Sequence, residues 1–177
     1  MAEIIKGRLI MSENSVLRKL DRKDAPYMLE WMHDDEINCN FQAPFAKADL
    51  DSVYVFIDNS FEDNNQHFAF VNENDEYMGT VSLKNISYKN KNAEYAIVTR
   101  KTAQGTGLAK KATEALLKYA LEKLDLHKIY LNVLEGNKRA ISFYEKLGFV
   151  YEGRATDAVN IQGEFKNLLW YGLINNK

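Results

Sequence analysis

Apolar side chains recur at Leu108, Ala112, Ala115, Leu116, Ala120, Leu121 and Leu124, three and four residues apart, with Lys110, Lys111, Glu114, Lys118 and Glu122 between them. That period puts the apolar set on one face and predicts a long amphipathic helix over 108–124. A second such segment, "KRAISFYEKL" at 138–147, groups Ala140, Ile141, Tyr144 and Leu147, with Asn137 as N-cap and Gly148-Phe149 as a Schellman-type stop. Nearer the start, "DRKDAPYMLEWMHD" (21–34) sets Tyr27, Met28, Trp31 and Met32 on one stripe behind an Asp21 cap, and "KADLDSVYVFIDNSF" (47–61) predicts another helix. Between those two, "EINCNFQAPF" (36–45) is expected to be a loop carrying aromatics.

Elsewhere the period drops to two. "HFAFV" (67–71), "YMGTVSLKNI" (77–86) and "AEYAIV" (93–98) are short alternating runs separated by the polar turns "NENDE" and "YKNKN", the pattern of an antiparallel meander. "SVLRKL" (15–20) supplies an opening strand. "KIYLNV" (128–133) puts Ile129, Leu131 and Val133 on one face, and its return through the long helix makes it parallel to the 93–98 strand. Strands around "FVYEG" (149–153) and "FKNLLWYGLI" (165–174) complete a mixed sheet, so the fold class is α/β and residues 1–177 form one domain.

Composition narrows the function classes. A formal net charge of -2 supplies no basic field for gripping nucleic acid, and no apolar run approaches the ~20 residues needed to cross a bilayer. One cysteine, Cys39, excludes an internal disulfide framework, and the charged start "MAEIIKGRLIMSENS" has no signal-peptide core. His33, His67 and His127 lie far apart without ligand-spaced company, so no metal is expected. These features describe a soluble cytoplasmic protein, with nucleic acid and membrane not expected as partners, and they leave a homo-oligomer open.

The chemistry centres on "QGTGLAKK" (104–111), between the 93–98 strand and the long helix. Glycine inside a helix costs about 1 kcal/mol relative to alanine, so two glycines here mark either a flexible turn or a cradle for an anion on the N–H groups of a helix N-terminus. The dinucleotide pattern G-x-G-x-x-G fails, because Lys110 stands at its third glycine; the Walker pattern G-x-x-x-x-G-K-[ST] fails as well. What Gln104, Gly107 and Ala109 do satisfy is [QR]-x-x-G-x-[GA]. Further on, Asn137, Ala140, Ile141, Phe143, Tyr144, Gly148 and Phe149 satisfy N-x-x-A-[IV]-x-[FL]-Y-x-x-x-G-F.

On these motifs and the element order, residues 15 to 174 resemble the GNAT superfamily of N-acetyltransferases. The second half is similar to its Rim-type branch, which holds ribosomal-protein N-terminal, spermidine and several amino-sugar acetyltransferases. The resemblance implies the GNAT fold, a mostly antiparallel sheet with one splayed parallel pair flanked by helices, and acetyl-CoA as co-substrate with no metal. It assigns the pyrophosphate to Gln104, Gly105, Thr106, Gly107, Leu108, Ala109 and Lys110, and the pantetheine arm to the backbone of Ile97, Val98 and Thr99. Asn137 would hold the arm from the other side as well as capping its helix.

The same resemblance makes Tyr144 the group that gives a proton to the departing thiolate; its pattern alone also fits a core aromatic. With an ordinary pKa of ~10 a tyrosine is protonated at neutral pH. Glu94 matches a glutamate of this branch that draws a proton from the amine through water, and it also fits a solvated strand-start residue. An alkyl amine of pKa ~10.4 is neutral in roughly one molecule in a few thousand at pH 7, equivalent to about 4 to 5 kcal/mol, against about 1 kcal/mol for an α-amine near 7.8. On the acceptor side stand Trp31, Phe41, Phe45 and Tyr54, as lining or as core, and Asp34, Asp35 and Glu36, as an attraction for a cationic amine or as a solvated helix end.

Two departures from the branch bear on the acceptor. Relatives acting on spermidine carry paired acids before a proline where this chain has Gln42 and Ala43 in "FQAPF", and Asn167 stands where Rim-type chains carry Asp. The resulting expectation is acetyl transfer to a primary amine, such as an amino sugar or a protein N-terminus. Spermidine acetylation is the alternative within the class, and a catalytically inactive CoA-binding regulatory module is the alternative outside it.

Overall fold

The computed structural model describes residues 16–39, 41 and 45–176, preceded by the backbone of a short ladder, β1 (Ile4–Ile5) with β2 (Arg8–Leu9). Gln42, Ala43 and Pro44 of the acceptor-side loop lie outside the described residues. The main sheet has seven strands: β3 (Leu17–Lys19), β4 (Gln66–Val71), β5 (Tyr77–Ser87), β6 (Asn92–Thr99), β7 (Lys128–Leu134), β8 (Val150–Ile161) and β9 (Glu164–Ile174). Their order across the sheet is β3-β4-β5-β6-β7-β9-β8. Every neighbouring pair is antiparallel except β6 and β7.

Each face of the sheet buries one helical layer. On one side α1 (Ala25–Met32) and α3 (Leu50–Asp58) pack Met28, Trp31, Met32, Val53 and Ile57 against Ala69, Val71 and Tyr77. On the other, α4 (Leu108–Lys118) and α5 (Lys138–Lys146) close over Phe68, Phe70, Val81, Leu83, Tyr95, Ile129 and Leu131. Local sequence sets the helix ends. Asp21 and Asp24 form a capping box before α1, Asp49 and Ser52 form another before α3, and Asn137 Oδ1 accepts from Ala140 N at 3.1 Å to start α5. The Schellman stop is present: Phe149 N donates to Tyr144 O at 3.1 Å and Gly148 N to Glu145 O at 3.0 Å.

Three elements differ from the periodicity reading. The 36–45 loop begins with a helical turn, α2 (Asp35–Asn38), capped by Asp34. The 108–124 helix leaves α geometry after Lys118 and finishes as a π-helical turn over Tyr119–Lys123. β8 continues to Ile161, well past Gly153, as the outer strand of a long hairpin with β9. Its side chains are mostly solvated, so no hydrophobic alternation marks the extension.

The feature that positions the site is the short contact between β6 and β7. Their parallel register covers only Asn92–Glu94 opposite Lys128–Tyr130. Beyond it β6 stays paired with β5 as far as Thr99 opposite Gly79, while β7 stays paired with β9 as far as Leu134 opposite Leu168. Gly79 lets β6 keep that company, because a Cβ there would stand 2.3 Å from Val98 O and 2.4 Å from the Phe70 ring. Two halves of one sheet are each held by an outer neighbour, so a wedge opens between them.

Candidate active site

The wedge is the floor of a cleft of about 1540 Å³ that runs from the β6–α4 turn to the α1–α3 layer. Arg100, only 5% exposed, fixes the far end of β6. It donates to Glu76 at 2.8 Å, to Tyr77 O at 2.9 Å and to Glu30 at 2.7 Å, and its guanidinium lies 4.5 Å from the Tyr27 ring centre. Lys101 next to it reaches Asp34 at 2.8 Å and Glu36 at 2.9 Å. The chain therefore enters the glycine turn already tied to α1 and the start of α2.

Gly105 and Gly107 both take left-handed backbone, at φ +79° and +83°, a conformation that favours glycine. A Cβ at either would meet nothing within 4 Å, and both glycines line the cleft. Gly107 is the N-cap of α4 and offers it no side chain, and the first turn leaves Ala109 and Lys110 N–H without an intrahelical acceptor. Lys110 and Lys111 in that turn, and Lys138 and Arg139 in the first turn of α5, put cations where the helix dipole disfavours them. Two helix starts loaded with positive charge fit an anion. Arg139 Nη1 also donates to Gln104 Oε1 at 2.6 Å, joining the two starts across the cleft.

Of the residues assigned to the donor, Ile97, Val98, Thr99, Gln104, Gly105, Gly107, Ala109, Lys110 and Asn137 line the cleft; Thr106 and Leu108 belong to the turn without lining it. Thr106 instead stiffens the turn, donating to Ala103 O at 2.7 Å and accepting from Leu108 N at 3.3 Å. Arg139 is a cleft residue that motif spacing passed over. The signal for it was present in the sequence, as a cation directly behind a helix cap.

Tyr144 reaches the same cleft from α5, 8% exposed and packed against Tyr95, Phe143 and Phe149 at ring separations of 6.1, 5.6 and 6.0 Å. Burial pushes its phenol up to about 12. The proton is thus held more firmly than the ordinary value implies. Glu94 lies opposite on β6, its side chain 16% exposed. It receives Lys84 Nζ at 2.8 Å, Asn85 Nδ2 at 3.0 Å and Asn132 Nδ2 at 3.5 Å. The solvated strand-start reading of Glu94 is thereby replaced by that of a held carboxylate in the cleft wall.

On the acceptor side Trp31, Phe41 and Phe45 form a cluster with ring centres 5.1 to 6.0 Å apart, and all three line the cleft. Tyr54 does not line it; the Arg22 guanidinium lies 5.1 Å from its ring centre. Glu36 lines the cleft and Asp34 and Asp35 do not. Lys101 holds the Asp34 carboxyl below its ordinary range, and Asp34 Oδ1 also accepts from Glu36 N at 3.0 Å. The acidic run is therefore engaged in joining α2 to the glycine-turn strand. His67 and Ser82, from adjacent strands, line the floor with Nδ1 and Oγ 2.8 Å apart, and burial followed by the charge of Lys84 lowers the imidazole to about 4.

Asn167 lies away from the cleft and has a structural explanation. Its amide donates to Glu135 at 2.8 Å and its carbonyl accepts from Asp157 N at 2.9 Å. An aspartate there would set two carboxylates against each other, whereas Asn167 and Arg154 together hold Glu135 below its ordinary range. Among the described residues no group of histidine, cysteine and carboxylate side chains could hold a metal ion, and no helix is long and apolar enough to cross a membrane.

A sheet parted at its one parallel pair, with a glycine turn at a helix start beside the parting, sets a free strand edge next to an anion site. The chain belongs to the GNAT acetyltransferase family, whose acetyltransferase (GNAT) domain matches residues 15–150, and it is an acetyl-CoA-dependent N-acetyltransferase. The spermidine N(1)-acetyltransferase of Escherichia coli (strain K12) is 31% identical over 159 residues, covering 86% of this chain and 82% of that protein. The spermidine N(1)-acetyltransferase of Vibrio cholerae is 31% identical over 175 residues, covering 94% and 96%. A crystal structure of spermidine N-acetyltransferase from Vibrio cholerae, in complex with CoA and spermine, matches with a TM-score of 0.82 at 27% identity over 91% of this chain and 95% of that one.

Proposed function

We propose that this chain acetylates a primary amine by direct attack on acetyl-CoA within a ternary complex, with Tyr144 and Glu94 on opposite sides of the reacting atoms. The observation that carries the reading is the shared cleft: the glycine turn, the parted β6 edge, Tyr144, Glu94 and the Trp31–Phe41–Phe45 wall all line one volume. Acetyl-CoA supplies the activated acyl group as a thioester. Gln104 to Lys110, with Arg139, bind its pyrophosphate through backbone N–H groups and positive charge. Ile97 to Thr99 present backbone to the pantetheine arm, and Asn137 faces it from the start of α5.

The attacking nitrogen must be neutral, so Glu94 takes a proton from the bound ammonium through water. The amide retains one hydrogen fewer than the neutral amine, and that proton completes the thiol. Tyr144, a phenol at about 12, is a weaker acid than an ordinary thiol near 8.5. Its act is therefore a hydrogen bond held on the sulfur as negative charge builds there.

Identity to spermidine acetyltransferases over nearly the whole chain supports a second reading, in which the amine belongs to a polyamine. Exposed Val150, Tyr151 and Phe165 on the β8–β9 hairpin support self-association of the chain. Free thiol release from acetyl-CoA, followed across polyamines, amino sugars and peptides with free N-termini, tests the activity. Tyr144→Phe is expected to lower kcat about a hundredfold with KM for acetyl-CoA little changed. An unchanged kcat removes Tyr144 from the chemistry. Stabilisation of the fold by acetyl-CoA without thiol release from any amine favours the inactive CoA-binding module.

A further inference from the structure

The sheet face that carries Glu94 continues past the cleft. Register sets Lys84 opposite Glu94, Glu94 opposite Tyr130 and Asn132 opposite Trp170, so these side chains stand on one face across β5, β6, β7 and β9. The contacts agree: the Tyr130 and Trp170 ring centres are 6.2 Å apart, and burial followed by the charge of Glu94 raises the Tyr130 phenol. The α1–α3 layer packs on the β4–β5 end of this face, at Ala69, Val71 and Tyr77. Trp170, at the middle of an inner strand, is still 37% exposed, and across from it Gly153 leaves open space where a Cβ would stand.

Two neighbours of Trp170, Asn132 across the strand pair and Leu168 two positions along β9, line the cleft, so the two rings form a sill at its edge. They stand one and two strand spacings from Glu94, ~5 Å and ~10 Å. What the sill offers is aromatic carbon. Lys128, two residues before Tyr130 on the same face, is answered by Glu152, whose oxygens both lie 2.7 Å from its Nζ. A methylene group buried on the rings strengthens binding about fourfold, and the gain recurs for each one added. An exposed ring face draws a cation by about two- to fivefold in total. An apolar tail therefore gains more here than a second ammonium group.

We propose that Tyr130 and Trp170 are specificity residues for the acceptor: they receive the part of the amine remote from its nitrogen, and what they select is an apolar tail long enough to span ~10 Å from Glu94. The inference rests on the acetyl-transfer reading above, with the amine nitrogen at Glu94, and adds a subsite to it. No reaction step beyond that transfer is involved.

The test uses the full chain with acetyl-CoA and the acceptors butylamine, octylamine and 1,7-diaminoheptane, the last matching octylamine in length with an ammonium in place of its methyl group. In the wild type kcat/KM for octylamine is expected to exceed that for butylamine about thirtyfold and that for the diamine at least about fivefold, the difference lying in KM for the amine. The octylamine-to-butylamine ratio should fall about tenfold in Trp170→Ser and no more than about threefold in Trp170→Phe, which keeps a ring. Using the ratio within each variant cancels whatever the substitution does to the fold or to acetyl-CoA binding. A wild-type ratio near one, a ratio unmoved by Trp170→Ser, or a diamine as good as octylamine overturns the subsite and leaves acetyl transfer standing. Thiol release with amines of the wider panel above but with none of these also overturns the subsite alone. Thiol release with no amine overturns it together with the acetyl-transfer reading.

Discussion

The halves of the cleft proposed for donor and acceptor are built by different means. The donor half is made of backbone: a three-pair parallel register, a β6 edge left without its neighbour, and a turn of two left-handed glycines at a helix start. The proposed acceptor half is made of side chains standing on the sheet face, His67, Ser82, Lys84 and Glu94, with an aromatic cluster in the same lining. Backbone architecture fixes a ligand common to a whole family. Side chains that a single substitution exchanges fix what differs between its members.

Perturbing each half should therefore give distinct signatures. The largest effect is expected from Gly107→Val, which strains a backbone at φ +83° in a turn that lines the cleft. KM for acetyl-CoA should rise about a hundredfold while acceptor preference stays fixed, as initial rates over an acetyl-CoA titration would report. A normal KM would remove the turn from phosphate binding and with it the backbone side of the contrast.

Next comes a pH effect confined to the acceptor half. His67 has a folded-state pKa of about 4 against 6.5 ordinarily, so the unfolded chain binds a proton that the folded chain refuses. Its contribution to stability is complete above pH 6.5 and is lost as pH falls toward 4. Discounted for partial exposure, the loss is ~1–2 kcal/mol. Denaturant titrations at pH 7.5 and 4.5 should show His67→Gln losing less stability than the wild type across that window; equal losses would mean the imidazole charges freely in the fold. The smallest effect belongs to Arg139→Gln, a roughly fivefold rise in KM for acetyl-CoA with kcat unchanged. An effect on acceptor KM instead would move Arg139 out of the donor half.

Legibility follows the same division. The strand order, the glycine turn and the Asn137 cap could be read because periodicity and backbone-demanding residues mark them in the chain itself. The extension of β8 could not, since its pairing with β9 shifts register between Ala155 and Val159 and the hairpin is too solvated to show alternation. Nor could the short α2 helix, whose four residues hold too few turns for a period. Glu94 was legible as a candidate, and it does line the cleft, but its lysine stands ten positions earlier on the neighbouring strand, and only register brings them together. Asp34 and Glu36 were open to the opposite error: an acidic run suggests attraction for cations until the structure supplies Lys101.

The three-pair register between β6 and β7 has a consequence for solubility as well as for binding. An unpaired strand edge is ordinarily a template on which a second chain can add, the beginning of aggregation. In this protein the free edge from Ala96 to Thr99 faces inward, recessed in a cleft between two helical layers, with a rim of lysine and arginine at one end. A second chain would have to pass between those layers to reach it. The recess thus screens a sticky edge, and it is the same edge to which the proposed donor arm is assigned.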